Sequence, residues 1–265
     1  MQGWDIMSRE SLLIVVDVGN TNTVCGVFRG DEFVGDFRLS TDIDRTADEY
    51  AALLLPLFGK SEIDPAEADG VVICSVVPPL TPCFQQLSLR YFHQEAFFVE
   101  PGVRTGLAIR YDNPTEVGAD RIVNALAARE LYGAPVVVAD FGTATTFDIV
   151  NKSGDYAGGV IAPGLVISAE ALFSHASRLY QVDVKRPERL IGNNTGAAMQ
   201  SGLFFGYVGL VDGILERLVA EIPEIQRVVA TGGQAELIAG GSKYIQEVNQ
   251  SLTLLGLKMV HELNR

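Results

Sequence analysis

The apolar positions of this 265-residue chain fall into one order of elements written twice. The first copy opens with L-L-I-V-V (12–16), an apolar run that stops at Asp17. T-V-C-G-V-F (23–28) and E-F-V-G-D-F-R-L (32–39) follow, hinged at Arg29-Gly30-Asp31. β-rich runs bounded by Gly and Asp predict a three-stranded antiparallel meander. Thr46-Ala47-Asp48-Glu49 then has the form of a capping box in front of A-A-L-L-L-P-L-F, which predicts a helix. A buried strand over 70–76, a helix over 80–91 opened by Pro78-Pro79 and a short strand over 95–99 complete the copy.

The second copy repeats the plan. An apolar run ends at Asp140, T-F-D-I-V (146–150) and Y-A-G-G-V-I-A (156–162) make two further strands, and Lys152-Ser153-Gly154-Asp155 is the turn between them. Helix 165–177, a long helix near 196–220, strand 226–230, helix 233–239 and a last helix near 253–263 follow. Between the copies, V-G-A-D-R-I-V-N-A-L-A-A-R-E-L-Y-G (117–133) has apolar residues at helical spacing and ends on Gly133, a usual helix terminator. Both halves approximate β-β-β-α-β-α. Two domains are therefore expected, over 1–116 and 117–265, with the last helix able to pack back on the first.

The sharpest part of the repeat is V-V-D-V-G-N-T-N-T (15–23) against V-A-D-F-G-T-A-T-T (138–146). Each has Gly two residues and Thr six residues after the aspartate. A strand that ends in Asp-x-Gly and turns through small hydroxyl residues gathers a carboxylate, hydroxyls and backbone N–H groups, which suits a phosphate and its cation. A lone Asp-Gly turn is ordinary. The matching positions of Gly19/Gly142 and Thr23/Thr146 favour phosphate or cation work, with a nucleotide between the halves.

Composition narrows the class. Hydrophobic residues make up 48% of the chain, yet no apolar run reaches the length of a membrane span. The first ten residues lack a basic start, apolar core or small-residue cleavage site, so they read as a loose tail, and Met7 is an equally natural start. Cys25, Cys74 and Cys83 are odd in number and form no C-x-x-C, which fits a reducing cytoplasm. His93, His175 and His261 are too widely spaced to suggest a zinc site. A net charge of −13 without a basic stripe argues against nucleic acid. A triphosphate would have to be held through Mg²⁺, backbone N–H groups and a few local cations.

Other residues have two readings each. Asp120 either complements the dipole of the helix it begins or serves as a base, with Arg121 beside it as an anion clamp. Thr231-Gly232-Gly233 is either a strand-to-helix turn or a close approach for a flat ligand such as adenine. Gly202, Gly206, Gly209 and Gly213 fall at steps of three and four along the long helix, where small residues permit a close helix neighbour, internal or from a second subunit. Asn194-Thr195 begins that helix with groups able to meet a carboxylate.

On these motifs the chain resembles the type III pantothenate kinases of the acetate and sugar kinase/Hsp70/actin superfamily. The resemblance rests on D-V-G-N-T-N-T (17–23), Y-D-N-P (111–114), G-A-D-R (118–121), D-F-G-T-A-T-T (140–146), G-G-V-I-A-P-G (158–164) and N-T-G-A-A-M-Q-S-G (194–202). It implies an α/β, duplicated actin-like (ribonuclease H-like) fold with an interdomain cleft, and transfer of phosphate from ATP to the primary hydroxyl of pantothenate, the first step toward coenzyme A. Asp120 would be the proton acceptor. Tyr111, Gly118, Ala119, Asp120, Arg121 and Thr195 would contact pantothenate. Asp17, Val18, Gly19, Asn20, Thr21, Asn22, Thr23, Val24 and Thr143 would hold ATP, and Asp140 a monovalent cation, K⁺ or NH₄⁺, alongside Mg²⁺. A cytoplasmic homodimer without membrane or nucleic-acid partners is implied. Leu179-Tyr180 and Val248-Asn249 stand where the family usually has Leu-Pro and Asp-Pro.

Overall fold

The computed structural model describes residues 10–175, 179–225 and 227–265. The chain folds into two compact units, one running up to Arg104 together with Leu257–Arg265, the other Thr105–Gly256. The leading tail (residues 1–9), the end of helix 165–177 and the first residue of strand 226–230 lie outside the described residues.

In the first unit, β1 (Leu12–Val18), β2 (Asn22–Arg29) and β3 (Glu32–Ser40) form the expected meander. Helix α1 (Ala47–Lys60) follows, and β4 (Gly70–Ser75) then runs parallel to β1. Helix α2 (Thr81–Leu87) leads to the two-residue β5 (Phe97–Phe98), giving the order β3-β2-β1-β4-β5. Alternation along β1 sends Ile14, Val16 and Val18 into a core with Tyr50, Leu54 and Phe58 of α1 and Phe84 and Leu87 of α2. On the strand hairpin, Lys258 from the C-terminal segment lies 5.9 Å over the Phe28 ring.

The second unit begins with α3 (Ala119–Tyr132) and then repeats the meander as β6 (Val136–Phe141), β7 (Ala144–Val150) and β8 (Tyr156–Pro163). Helices α4 (Leu165–His175) and α5 (Thr195–Glu221) precede β9 (Val228–Thr231), which pairs parallel with β6. The unit continues through α6 (Ala235–Ala239) and β10 (Glu247–Val248) into α7 (Leu252–Asn264). Its sheet order, β10-β9-β6-β7-β8, read backwards is that of the first. The duplicated actin-like α/β architecture expected from the sequence is what the chain adopts.

Three local expectations need revision. The helix expected over 80–91 is a composite: a 3-10 turn at Pro78–Leu80, then α2, then a π turn at Ser88–Phe92 stopped by His93 at φ 56. Ser88 Oγ donates to Gln94 O at 2.7 Å and holds that wide last turn. Strand β10 has no apolar run to announce it; only its parallel pairing with β9 makes it a strand, as β5 depends on β4.

The third revision concerns the repeat itself. Thr23 lies opposite Val18, whereas Thr146 lies opposite Asp140. Paired residues share a sheet face and neighbours along a strand alternate. Thr146 therefore faces the same side as Asp140, while Thr23 faces away from Asp17. The cause is turn length, because three residues separate β1 from β2 and two separate β6 from β7.

The α1 capping box is complete: Glu49 N donates to Thr46 Oγ1 at 3.3 Å, and Thr46 N donates to Glu49 Oε2 at 2.8 Å. Thr46→Ala should destabilise the protein by about 1 kcal/mol. Urea unfolding checks this, with turnover expected to stay at the wild-type level because the box closes between Thr46 and Glu49 themselves and includes none of the expected site residues.

Candidate active site

Asp120 stands in the first turn of α3, behind Gly118 as N-cap and Ala119. Its Oδ1 accepts Arg121 N–H at 2.9 Å, so the carboxylate folds back over the helix start. A Cβ on Gly118 would lie 2.4 Å from that oxygen; the glycine is what lets the carboxylate sit there. Desolvation raises the Asp120 pKa, and the charge of Asp148 adds to the rise against the Arg121 hydrogen bond. The outcome is a carboxylate more basic than one in water.

Asp140 ends β6 one residue before the turn. Asn124 Nδ2 donates to its Oδ2 at 3.0 Å, and Asn124 Oδ1 in turn accepts Thr253 Oγ1 at 2.8 Å. Asn124 is fully buried, so this relay fixes the carboxylate through the body of α3. Gly232 stands against the other oxygen: at φ +90, a Cβ there would meet Asp140 Oδ1 at 2.5 Å and Phe141 backbone at 2.7 Å. Three things thus require glycine here: the positive φ, the Phe141 backbone and the approach of Asp140. Burial first, and then the charges of Asp120 and Asp148, push the Asp140 carboxyl up to about 7.

Arg121, expected as an anion clamp, is not an unattached cation. Its Nε donates to Asp148 Oδ1 at 2.7 Å and its Nη2 stands 2.7 Å from the same oxygen. Tyr156 Oη also donates to Oδ1, at 2.8 Å, and Thr146 Oγ1 donates to Oδ2 at 2.8 Å. The guanidinium lies 5.9 Å over the Tyr156 ring. Tyr111 joins the group, its ring centroid 6.4 Å from that of Tyr156. Asp148 and Asn124 escaped the sequence reading. The signal was present: each is a lone polar residue inside an apolar stretch, at I-V-N-A-L and T-F-D-I-V, and a buried polar group must have partners.

The second unit thus brings Asp120, Arg121, Asp140 and Tyr111 into one neighbourhood. Thr195 is exposed at the start of α5 in the same unit, where Asn194 Oδ1 accepts Ala197 N–H at 2.9 Å. It lines a cavity of about 610 Å³ with Ser168, Leu172, Met199 and Leu203. Thr143 is exposed in the β6–β7 turn.

The remaining expected residues form the β1–β2 turn of the first unit. Asp17 and Val18 close β1, Gly19 N–H donates to Asn22 O at 3.0 Å, and Asn20 and Thr21 are exposed at the tip. Thr41 Oγ1 donates to Gly19 O at 2.7 Å and stands 2.9 Å from Thr23 Oγ1. Since the Thr41 proton goes to Gly19, Thr23 supplies the proton between the two hydroxyls. Thr23, 1% exposed, ties the turn to the end of β3, and Val24 follows it, buried, in β2.

A raised carboxyl opposes folding once ionised. With the unfolded group titrating near the ordinary 3.8 and the folded group near 7, Asp140 contributes to stability below about 4 and loses that contribution as pH rises through about 7. Asp140→Asn should therefore stabilise the unliganded protein more at pH 8 than at pH 5. Urea unfolding in a buffer whose only cation is a bulky organic ion checks this; an equal gain at both pH values would contradict it.

The family model for type III pantothenate kinase matches residues 13–217. The type III pantothenate kinase of Geobacter sulfurreducens is 53% identical over 254 residues, covering 96% of this chain and 100% of that protein. That of an Anaeromyxobacter species is also 53% identical, with the same coverage. Among solved structures, a conserved putative Baf family transcriptional activator from Campylobacter jejuni aligns with a TM-score of 0.58 at 20% identity, over 95% of this chain and 98% of that one; at that identity the likeness concerns the fold alone. Fold, motifs and relatives over nearly the whole length agree, and the chain belongs to the type III pantothenate kinase family.

Proposed function

We infer that this enzyme transfers the γ-phosphoryl group of ATP to the primary hydroxyl of pantothenate, giving 4′-phosphopantothenate and ADP in the first step toward coenzyme A. The observation that carries the chemistry is the raised, partly buried carboxylate of Asp120 at the start of α3. As the hydroxyl oxygen bonds to the γ-phosphorus and the bond to the ADP oxygen breaks, Asp120 takes the hydroxyl proton. Phosphoryl transfer otherwise rests on positioning and charge stabilisation. Arg121, Tyr111, Gly118, Ala119 and Thr195 are the residues for pantothenate. The turn Asp17–Val24 and Thr143 are the residues for ATP, whose phosphates suit the exposed backbone at Asn20 and Thr21.

Asp140 is the residue for a monovalent cation. Its surroundings fit one: Asp120 and Asp148 add negative charge, while Arg121 is paired with Asp148. Among the described residues no three His, Cys, Asp or Glu side chains group as metal ligands. A single carboxylate suits K⁺ or NH₄⁺, with Mg²⁺ arriving on the nucleotide. When bound, these ions offset the charge of the phosphates and of Asp140.

Location and assembly follow the same reading. No helix among the described residues is long and apolar enough to cross a membrane, and Cys25, Cys74 and Cys83 form no disulfide, as suits a reducing cytoplasm. A net charge of −13 disfavours nucleic acid. Side chains added at Gly202, Gly206 and Gly209 would meet nothing within 4 Å in this chain, which supports the α5 face as the seat of a homodimer.

Asp120→Asn should lower kcat by about 10²–10⁴-fold, because Asn keeps the shape but cannot take the proton. Release of ADP with pantothenate, read against pantothenate binding by calorimetry, is the measurement. Binding should survive, and a variant retaining more than about a tenth of the rate would refute the base.

Potassium should raise wild-type turnover well above sodium at equal ionic strength, and Asp140→Asn should abolish the difference. Equal rates in both salts would count against the cation site, since general screening does not distinguish the two ions. A potassium effect undiminished in the variant would move the cation elsewhere.

A further inference from the structure

Asp148 is fully buried in the middle of β7, and every hydrogen bond it accepts comes from a side chain. Tyr156 Oη and Arg121 Nε reach one oxygen, Thr146 Oγ1 the other. At 0% exposure, that carboxylate is out of reach of a ligand of its own. Its partner is different. Arg121 is 8% exposed, and its Nη2, although 2.7 Å from Asp148 Oδ1, is out of line for a hydrogen bond and has no other partner. A guanidinium carries five N–H donors, and a buried one is rarely left unpaired. Gly159 packs closely beside that nitrogen: a Cβ there would come within 2.8 Å of Nη2 and would also collide with the backbone carbonyl of Phe147.

We propose that Asp148 is a positioning residue for the phosphoryl-acceptor site: with Tyr156 and Thr146 as struts, it clamps Arg121, and through Arg121 the first turn of α3, so that the pantothenate-binding residues there keep a fixed geometry. This rests on the kinase reading and adds a residue to it. The clamp acts at a distance from the reacting atoms. Arg121 follows Asp120 directly in the chain, so the clamp also fixes the helix turn that holds the base. Small misplacements at such a site are expensive in rate; a shift of about 1 Å can cost about 10²-fold.

The alternative is that Asp148 only neutralises a buried arginine for the sake of the fold. Four proteins separate the two: wild type, Asp148→Asn, Arg121→Gln and the double variant, each measured for kcat, KM for pantothenate and KM for ATP. Asparagine keeps an acceptor for Tyr156 but loses the charge that holds Arg121. The expected result is a KM for pantothenate raised about tenfold or more in Asp148→Asn, with the KM for ATP changed less than about twofold. In the Arg121→Gln background the same substitution should add nothing beyond about twofold, because it acts through the arginine. Tyr156→Phe, which removes one strut, should shift the KM for pantothenate in the same direction by less. An unchanged KM for pantothenate in Asp148→Asn, or a penalty that multiplies in full on Arg121→Gln, would overturn the proposal. If Asp148→Asn fails to fold, the double variant lacks both buried charges and is compared with Arg121→Gln alone: equal KM values support the clamp, and a further rise refutes it. Turnover of pantothenate by the wild type tests the kinase reading separately, so a full additive penalty in an active enzyme would remove only the role of Asp148.

Discussion

Negative charge held out of water is the constraint on which the second unit depends. Asp120, Asp140 and Asp148 lie close enough for their charges to act on one another, and Arg121 is ion-paired with Asp148 alone among them. Water would solvate three carboxylates without difficulty; a protein interior tolerates them only with partners. The fold supplies those partners from separate elements. Asn124 comes from the buried side of α3, Tyr156 from β8, Thr146 from β7 and Thr253 from α7. What remains less compensated is concentrated on Asp120 and Asp140, the two groups proposed as base and cation ligand. Charge imbalance of this kind costs stability in the empty protein, and the cation proposed for Asp140 would relieve it.

Much of the fold was legible because periodicity and capping are local. Strand alternation in β1, the Thr46–Glu49 box and the Gly133 stop could each be read from a handful of neighbouring residues. The composite helix at 78–92 and the short β10 were not, because their conformation depends on a side-chain bond from Ser88 and on pairing with a strand far away in sequence. The site divided in the same way. Asp120, Asp140 and the Asp-x-Gly turns announced themselves by position. Asp148 and Asn124 did not, since a polar residue in an apolar run reveals that it needs a partner without revealing which one.

The glycines give a similar lesson. From the sequence, Gly118 is expected at the substrate and Gly232 either in a turn or against a flat ligand, yet each is pressed against a carboxylate oxygen closely enough to exclude a methyl group. At Gly118 the constraint is steric room beside the Asp120 carboxylate; at Gly232 it is room beside Asp140 together with a positive φ. By contrast, Gly202, Gly206 and Gly209 have open space around them. The same residue type therefore marks opposite conditions, crowding in one place and vacancy in the other, and only the surroundings tell them apart.

The one-residue difference between the two Asp-x-Gly turns has a consequence for how the halves diverged. Side-chain direction along a strand is a matter of parity, so adding or deleting one residue in a turn reverses every position beyond it. In the first half the turn hydroxyl became a tie between strands, through Thr41 and Gly19. In the second it came to face Asp140 and to brace Asp148. Two copies of one scaffold thus acquired separate duties without a new element or a new residue type, and an insertion of one residue between β6 and β7 would undo the distinction by turning Thr146 and Asp148 to the wrong side of their own sheet.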